Sequence, residues 1–394
     1  MSEKRPMKTL GEVCTIVKKL IPFDGEVPYY STGSVNYDGS IVKVDRMVTM
    51  LNKPSRAGRT PNCGDVGFAK MKRTIKIIMV TEELSNCIFS TGFTFLRVGP
   101  ELIPKYLYYF LISNDFHKQK NYLTGDGIMG SIKERDTLNI YIPVPTLEEQ
   151  QRIVSVLDET FGDLNKSSDQ IYKKILNTSE LYQTNLNSIF AENTNWETGL
   201  LGNVTGGVQT GPFGSLLHKS DYITNGIPII NPAHITKNGI VPDENKTITV
   251  ETANRLSNYL LKSGDVVLGR RGEMGRCAVV KEKEEGWLCG TGSFFIKSSE
   301  KIDANFLVNL IWSDKYRIRL NKIATGTTMK NLSNKSLSNL VIQFPSRNEQ
   351  NKIVEKLDNL FMKIEKLQES YSRQYESVEK LKQSILKEAF IGNL

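Results

Sequence analysis

Apolar residues at alternating steps of three and four run through two long stretches of the chain. In the first, Leu157, Phe161, Leu164, Ile171, Ile175, Tyr182 and Ile189 fall on one line, with Ser168, Thr178 and Asn185 as polar interruptions. That spacing predicts a helix with a single apolar stripe. In the second, Leu357, Phe361, Ile364, Leu367, Tyr371, Tyr375, Val378, Leu381 and Ile385 mark the line, and neither Gly nor Pro interrupts 350–390. At about 1.5 Å per residue such a helix spans roughly 60 Å, too long for the interior of one small domain. The stripes can be buried on each other, as an antiparallel coiled coil, or each against its own globular half. Pro143, Pro145 and Pro345 end the strands before the helices and fix the helix starts.

Elsewhere the apolar runs are short and bounded by Gly, Asn and Ser. Positions 75–80, 93–98, 266–268 and 294–296 predict strands, and 104–113 and 304–312 predict short buried helices. The fold class is therefore α+β. The Gly-Asp before Val66, and again before Val266, signals a turn leading into a strand.

A repeat organises these elements. Glu149-Gln150 recurs as Glu349-Gln350, Ile153-Val154 as Ile353-Val354, and Leu157-Asp158 as Leu357-Asp358, an offset of 200. The register continues through Leu181, Gln183, Leu186 and Phe190, matched by Leu381, Gln383, Leu386 and Phe390. Upstream, Gly64-Asp65-Val66, Thr91-Gly92, Leu107 and Met129 keep it too. The half openings at Leu10-Gly11 and Leu201-Gly202 correspond at 191, so a length difference lies between. The chain reads as two copies of one module: globular parts over 1–147 and 193–346, helices over 148–192 and 347–394.

Composition narrows the class. The 394 residues carry 51 Lys and Arg against 43 Asp and Glu, a net charge of +8. Located along the chain, this excess sharpens: 149–190 is net −2 and 349–390 is neutral, leaving +10 on the remainder. A polyanion would meet the globular parts, with the helices as spacers or docking elements. Five cysteines without paired spacing read as free thiols. No signal-peptide core and no long uncharged apolar run is present, so a cytoplasmic chain with no membrane partner is expected.

Basic residues gather beside small residues in apparent loops. Arg56 and Arg59 flank Gly58, Lys70, Lys72 and Arg73 follow, and in the second copy Arg270, Arg271 and Arg276 surround Gly272 and Gly275. Arginine beside glycine lets a two-pronged donor reach a phosphate or a guanine edge, although a solvated loop has the same composition. Lys133 and Lys330, after Thr124-Gly125 and Thr325-Gly326, join these candidates, as does Thr327.

Several chemistries are excluded. There is no phosphate-binding loop motif and no dinucleotide fingerprint. Asn231-Pro232-Ala233-His234 lacks the aromatic residue with which an amino-methyltransferase stacks its target base, and the acidic pair Asp243-Glu244 is contiguous, unlike a nuclease metal site. His117, His218 and His234 have no metal or triad spacing. No catalytic residue and no metal site is assigned.

The architecture, with Thr210-Gly211-Pro212-Phe213-Gly214-Ser215, Ser220-Asp221-Tyr222, Gly226-Ile227-Pro228-Ile229-Ile230, Arg271-Gly272-Glu273-Met274-Gly275 and the Glu349-Gln350 helix start, resembles the specificity subunit of Type I restriction-modification systems. The first copy lacks the Gly-Pro-Phe-Gly-Ser and Arg-Gly-x-x-Gly stretches. The resemblance implies two tandem α/β target-recognition domains reading a bipartite, asymmetric site in double-stranded DNA, the helices setting the gap. It adds Thr210, Gly211, Phe213, Ser215 and Lys219 to the candidates. It implies a non-catalytic chain that binds no cofactor and docks two methyltransferase subunits on its helices. Those would carry S-adenosylmethionine, and through them two restriction subunits using ATP and Mg would join. Alternatives are a coiled-coil interaction scaffold and a diverged methyltransferase or nuclease.

Overall fold

The computed structural model describes residues 5–17, 20, 22–36, 40–41, 43–125, 127, 130–326 and 330–394. The chain forms two compact units: Met1–Tyr172 with Ser372–Leu394, and Lys173–Tyr371.

In the first unit an antiparallel sheet runs Cys14–Ile16, Phe93–Val98, Val66–Ala69, Ile77–Met79. A second sheet runs Arg46–Val48, Val27–Tyr30, Ile88–Ser90, Ala57–Arg59, with its middle pair parallel. Helices Pro104–Ile112 and Asn114–Leu123 pack on the first sheet, where Phe68 meets Phe116 at 5.1 Å between ring centroids. The apolar faces of the strands explain the burial: Val66, Phe68, Phe93 and Phe95 are fully covered.

The second unit repeats the core of this arrangement in register, although its second sheet has three strands, with no counterpart of Ala57–Arg59 among the described residues, and a short hairpin, Ile235–Thr236 with Gly239–Ile240, is added. Val66 pairs with Met79 and Leu96, and Val266 with Val279 and Ile296. Tyr29 pairs in parallel with Ile88, and Ile229 with Leu288. Helices Ala304–Trp312 and Asp314–Ile323 follow as in the first copy. The offset of 200 is thus an offset of strand register.

Two repeated polar residues are structural. Asp65, expected as a turn residue, is 2 % exposed and takes a two-pronged bond from Arg97 at 2.9 and 2.8 Å. Asp265 receives Lys297 at 2.9 Å in the same position. Each also accepts the amide three residues earlier, Asn62 or Lys262, closing the turn. Gln150 and Gln350 are fully buried. Gln150 accepts from the Ile103 amide at 2.9 Å and donates to the carbonyls of Glu101 and Pro145; Gln350 does the same with Asp303, Lys301 and Pro345. Each amide group fastens a long helix to its own copy's globular part.

The long helices are Leu147–Ile189 and Arg347–Ile391. They pair antiparallel within each unit. In the first, Lys382 Nζ donates to Ser168 Oγ at 3.3 Å; in the second, the rings of Tyr182 and Phe361 lie 5.7 Å apart and Gln368 donates to Ser179 at 3.0 Å. Leu157, Phe161, Leu357 and Ile364 are buried or nearly so, while Leu164, Ile171, Ile175, Tyr371, Val378 and Ile385 are half-buried. The stripe needs one correction: Leu367 and Leu381 are 42 % and 48 % exposed, Tyr375 is exposed, and buried Lys382 takes the seam instead. The polar interruptions Ser168 and Thr178 are buried on it. Ser168 gives the Lys382 ammonium a hydroxyl acceptor, and Glu379 supplies its counter-charge at 2.6 Å.

The helix ends are exchanged between copies. Phe190, which ends the first copy's helical segment, packs on Phe306 of the second copy at 5.4 Å; Phe390 packs on Tyr106 and Phe110 of the first at 5.2 and 5.5 Å. Gln183 donates to the Trp312 carbonyl, and its counterpart Gln383 to that of Ile112. The first unit is therefore closed by the C-terminal segment. Arg5 bonds Glu149 at 2.6 Å and the Ala389 carbonyl, and Arg152 bonds the Leu394 carbonyl.

Candidate nucleic-acid interface

In the second unit the turn between strands Val266–Gly269 and Cys277–Val279 holds Arg270, Arg271 and Arg276. Gly272 and Gly275 adopt φ of +81° and +88°, backbone that favours glycine, and they fold the turn back sharply. Met274 is buried beneath it. Arg270 is half-buried, its Nε donating to the Leu332 carbonyl at 3.0 Å and its guanidinium 5.6 Å from the Phe213 ring centroid. Arg276 is taken by Glu273 at 2.8 Å. Arg271 is exposed, its backbone bridging to Asn331, and its side chain forms no ion pair among the described residues. Burial, and then the neighbouring Arg271, lower the pKa of Arg270. Two adjacent guanidiniums without a carboxylate between them favour an incoming anion.

Three loops meet here. The 210–215 loop brings Phe213, 54 % exposed, over Arg270; Asn331 lies beside Arg271 through its bridge; and Asn334 donates to the Val208 carbonyl at 2.7 Å. Gly211 is required by close packing, since a Cβ there would stand 2.1 Å from the Gly290 carbonyl oxygen. Thr210 is half-buried, Ser215 and Lys219 are exposed, and exposed Lys330 donates to Asn321 at 3.1 Å. Thr327 lies outside the described residues.

The first unit carries a turn at the same place, 70–76 between strands Val66–Ala69 and Ile77–Met79. Met71 bridges Ser131 as Arg271 bridges Asn331. Letter-by-letter comparison hides this equivalence because no glycine is shared; the offset alone finds it. The turn is organised from below by Lys120, which is fully buried and donates to the carbonyls of Ala69, Met71 and Thr74 at 3.3, 3.2 and 2.6 Å. Asn121 accepts the Arg73 amide at 3.0 Å, holding Arg73 at φ +61°. In the second unit Leu320 occupies the place of Lys120, and glycines do the bending. A buried lysine among polar helix neighbours has no sequence signal of its own.

Lys72 donates to the Gly125 carbonyl, Arg73 is exposed, Lys70 is half-buried, and Arg56 and Lys133 are exposed. Arg59 is buried and committed to Glu134 and to the Val17 carbonyl, so it braces the cluster instead of facing solvent. Among the described residues no group of three or more His, Cys, Asp or Glu is placed to hold a metal, and no helix is long and apolar enough to cross a membrane. Asn231 to His234 form a short turn in which His234 Nδ1 sits 2.8 Å from the Ile229 carbonyl, a structural arrangement.

His117, on the Lys120 helix, is buried, and burial together with Lys120 pushes its pKa down to about 4. The unfolded chain takes up the proton near pH 6.5 and the folded one does not, so stability falls as pH drops from about 6.5 to 4. The loss expected is on the order of 3 kcal/mol. In thermal melts across this window, His117→Leu should remove that part of the pH dependence.

Comparison with known proteins follows the two-copy pattern. The family model for the Type I restriction modification DNA specificity domain matches twice, at 3–190 and 193–371. The chain is 27% identical over 308 residues to the Type I restriction enzyme MjaVIII specificity subunit of Methanocaldococcus jannaschii, covering 73% of this chain and 70% of that protein. Against the StySPI specificity subunit of Salmonella potsdam it is 23% identical over 330 residues, 78% of this chain and 69% of that one. The fold matches a chain from a structural study of complex assembly and conformational transition of the type I R-M system, with a TM-score of 0.79, 23% identity and both chains fully covered. The HsdS subunit from Thermoanaerobacter tengcongensis matches at a TM-score of 0.51 and 24% identity, over 99% of this chain and 97% of that one.

Proposed function

The chain belongs to the Type I restriction modification DNA specificity domain family, and from that premise we propose that its two domains each read one half of a bipartite, asymmetric sequence in double-stranded DNA. It is the non-catalytic specificity subunit of such a system. The observation that carries the two-part reading is the double match of the family model, one over each copy. Each copy has its own basic turn at an equivalent strand junction, and the turns differ in sequence, as two readers of different half-sites require.

In this reading the exposed Arg271 and Arg73 reach the duplex, Arg270 and Lys70 support them, and the paired helices fix the distance between half-sites. The helices and their flanks also dock two methyltransferase subunits, which bring S-adenosylmethionine. Two restriction subunits using ATP and Mg join through them. The assembly works in the cytoplasm, where its DNA lies.

Methylome sequencing of cells carrying the chain and its methyltransferase partner tests this. A motif of two specified half-sites around a fixed unspecified gap is expected, present with the chain and lost without it. A methylome unchanged by its deletion would refute the reading.

A further inference from the structure

We infer that the segment 43–56 of the first unit is an apolar-tipped arm that enters a groove of duplex DNA, with Leu51 as its contact to the bases. This rests on the proposed DNA-reading function and adds a readout element to it.

Leu51 is 99% exposed at the tip of a turn, and Val44, Met47 and Met50 nearby are 40%, 46% and 39% exposed. Isolated surface leucines are ordinary, but four large apolar residues within eight positions are not. The turn is ordered: Asn52 Oδ1 accepts the Thr49 amide at 2.7 Å, and the Lys53 amide donates to the Thr49 carbonyl at 3.1 Å. Lys43, Arg46, Lys53 and Arg56 flank the apolar residues against the single acid Asp45, a local charge of +3. Asp45 is itself committed to Ser34 at 2.8 Å and to the Ser31 amide.

The second copy gives an internal comparison. Arg46–Val48 pairs with Val27–Tyr30 as Thr247–Ile248 pairs with Ile227–Ile230, so 243–256 is the equivalent segment. It carries Asp243, Glu244 and Glu251 against Lys246 and Arg255, a charge of −1. Beyond the shared strand the two segments part in both structure and charge, the second running on as helix Val250–Arg255 where the first forms the Leu51 turn. A polyanion is the partner that the positive copy fits and the negative copy repels.

The arm also leads to the basic turn. The Arg56 carbonyl accepts from Thr91 at 2.7 Å and the Gly92 carbonyl accepts from Lys70 at 2.9 Å, so arm and turn are tied to adjacent residues of one bend. An apolar tip with cationic shoulders suits a groove: lysine and arginine meet the phosphates, and leucine contacts base pairs where no charge is welcome.

The test uses the full chain assembled with its methyltransferase partner and a 40-base-pair duplex carrying the methylome motif. Leu51→Ala should weaken binding about tenfold, the value of one buried leucine side chain, without changing the salt dependence. Lys53→Ala should lower the slope of log affinity against log salt by about one. Val250→Ala, in the second copy, should do neither. Binding by Leu51→Ala within twofold of the parent overturns the inference, as does a Leu51→Ala chain that loses its methyltransferase partner in pull-down while its melting is unchanged. A parent complex that fails to bind the duplex refutes the function proposed above, a different result.

Discussion

Phe390→Ala is expected to destabilise the first unit by about 3–5 kcal/mol, even though that unit is built almost wholly from the other end of the chain. Phe390 is 5% exposed and lies edge-on to Tyr106 and Phe110, with Leu386 and Ala389 fully buried beside it. Removing the ring leaves a cavity that helices Pro104–Ile112 and Arg347–Ile391 cannot close without moving the long helix. The counterpart Phe190→Ala should act on the second unit instead, through Phe306 and Trp196. Hydrogen exchange followed by mass spectrometry separates the two: faster exchange in 104–123 for Phe390→Ala, and in 304–323 for Phe190→Ala. The opposite assignment, or no local difference, would show that the helix ends are not shared in this way.

Lengthening both long helices by one turn, four residues after Tyr172 and four after Tyr371, is expected to abolish methylation of the original motif. These points divide the helices between the units, so the packing of Phe390, Phe190 and both buried glutamines is left intact. Four residues add about 6 Å of helix, roughly one to two base pairs of duplex at 34 Å per turn. The new methylome should show both half-sites unchanged around a longer gap. A variant that folds, assembles and still methylates the old gap would contradict helices acting as the ruler.

Much of the fold was legible because the repeat carries the same signals twice. The strands at 93–98 and the helices from Pro104 and Ala304 stand where their apolar runs end. Three things were hidden for physical reasons. The second sheet of each unit is made of strands of two to four residues, too short for a period to declare itself. Lys382 and Lys120 are buried, against the usual rule for lysine, because a hydroxyl and a carboxylate, or three carbonyls, are waiting for the ammonium. And the first copy's basic turn is set by Lys120 where the second uses glycines, so a comparison seeking glycines passes over it.

The sequence separates basic loops from helical segments of −2 and zero net charge, but nothing in it ranks the loop residues. Arg59, Arg271 and Arg276 look alike on paper. A carboxylate decides between them: Glu134 and Glu273 occupy the first and last and leave Arg271 exposed.

The discontinuity of the first unit bears on how the protein is made. Its globular part is synthesised before the second unit, yet the segment Ser372–Leu394 that completes its core is synthesised after the whole of that unit. The second unit, Lys173–Tyr371, is unbroken and can finish while its predecessor still exposes the site for Phe390. The later-born half should therefore be the earlier to mature. The apolar seat on Tyr106 and Phe110 stays open until Ser372–Leu394 has emerged, and a chain cut short before that segment has one finished unit and one unfinished.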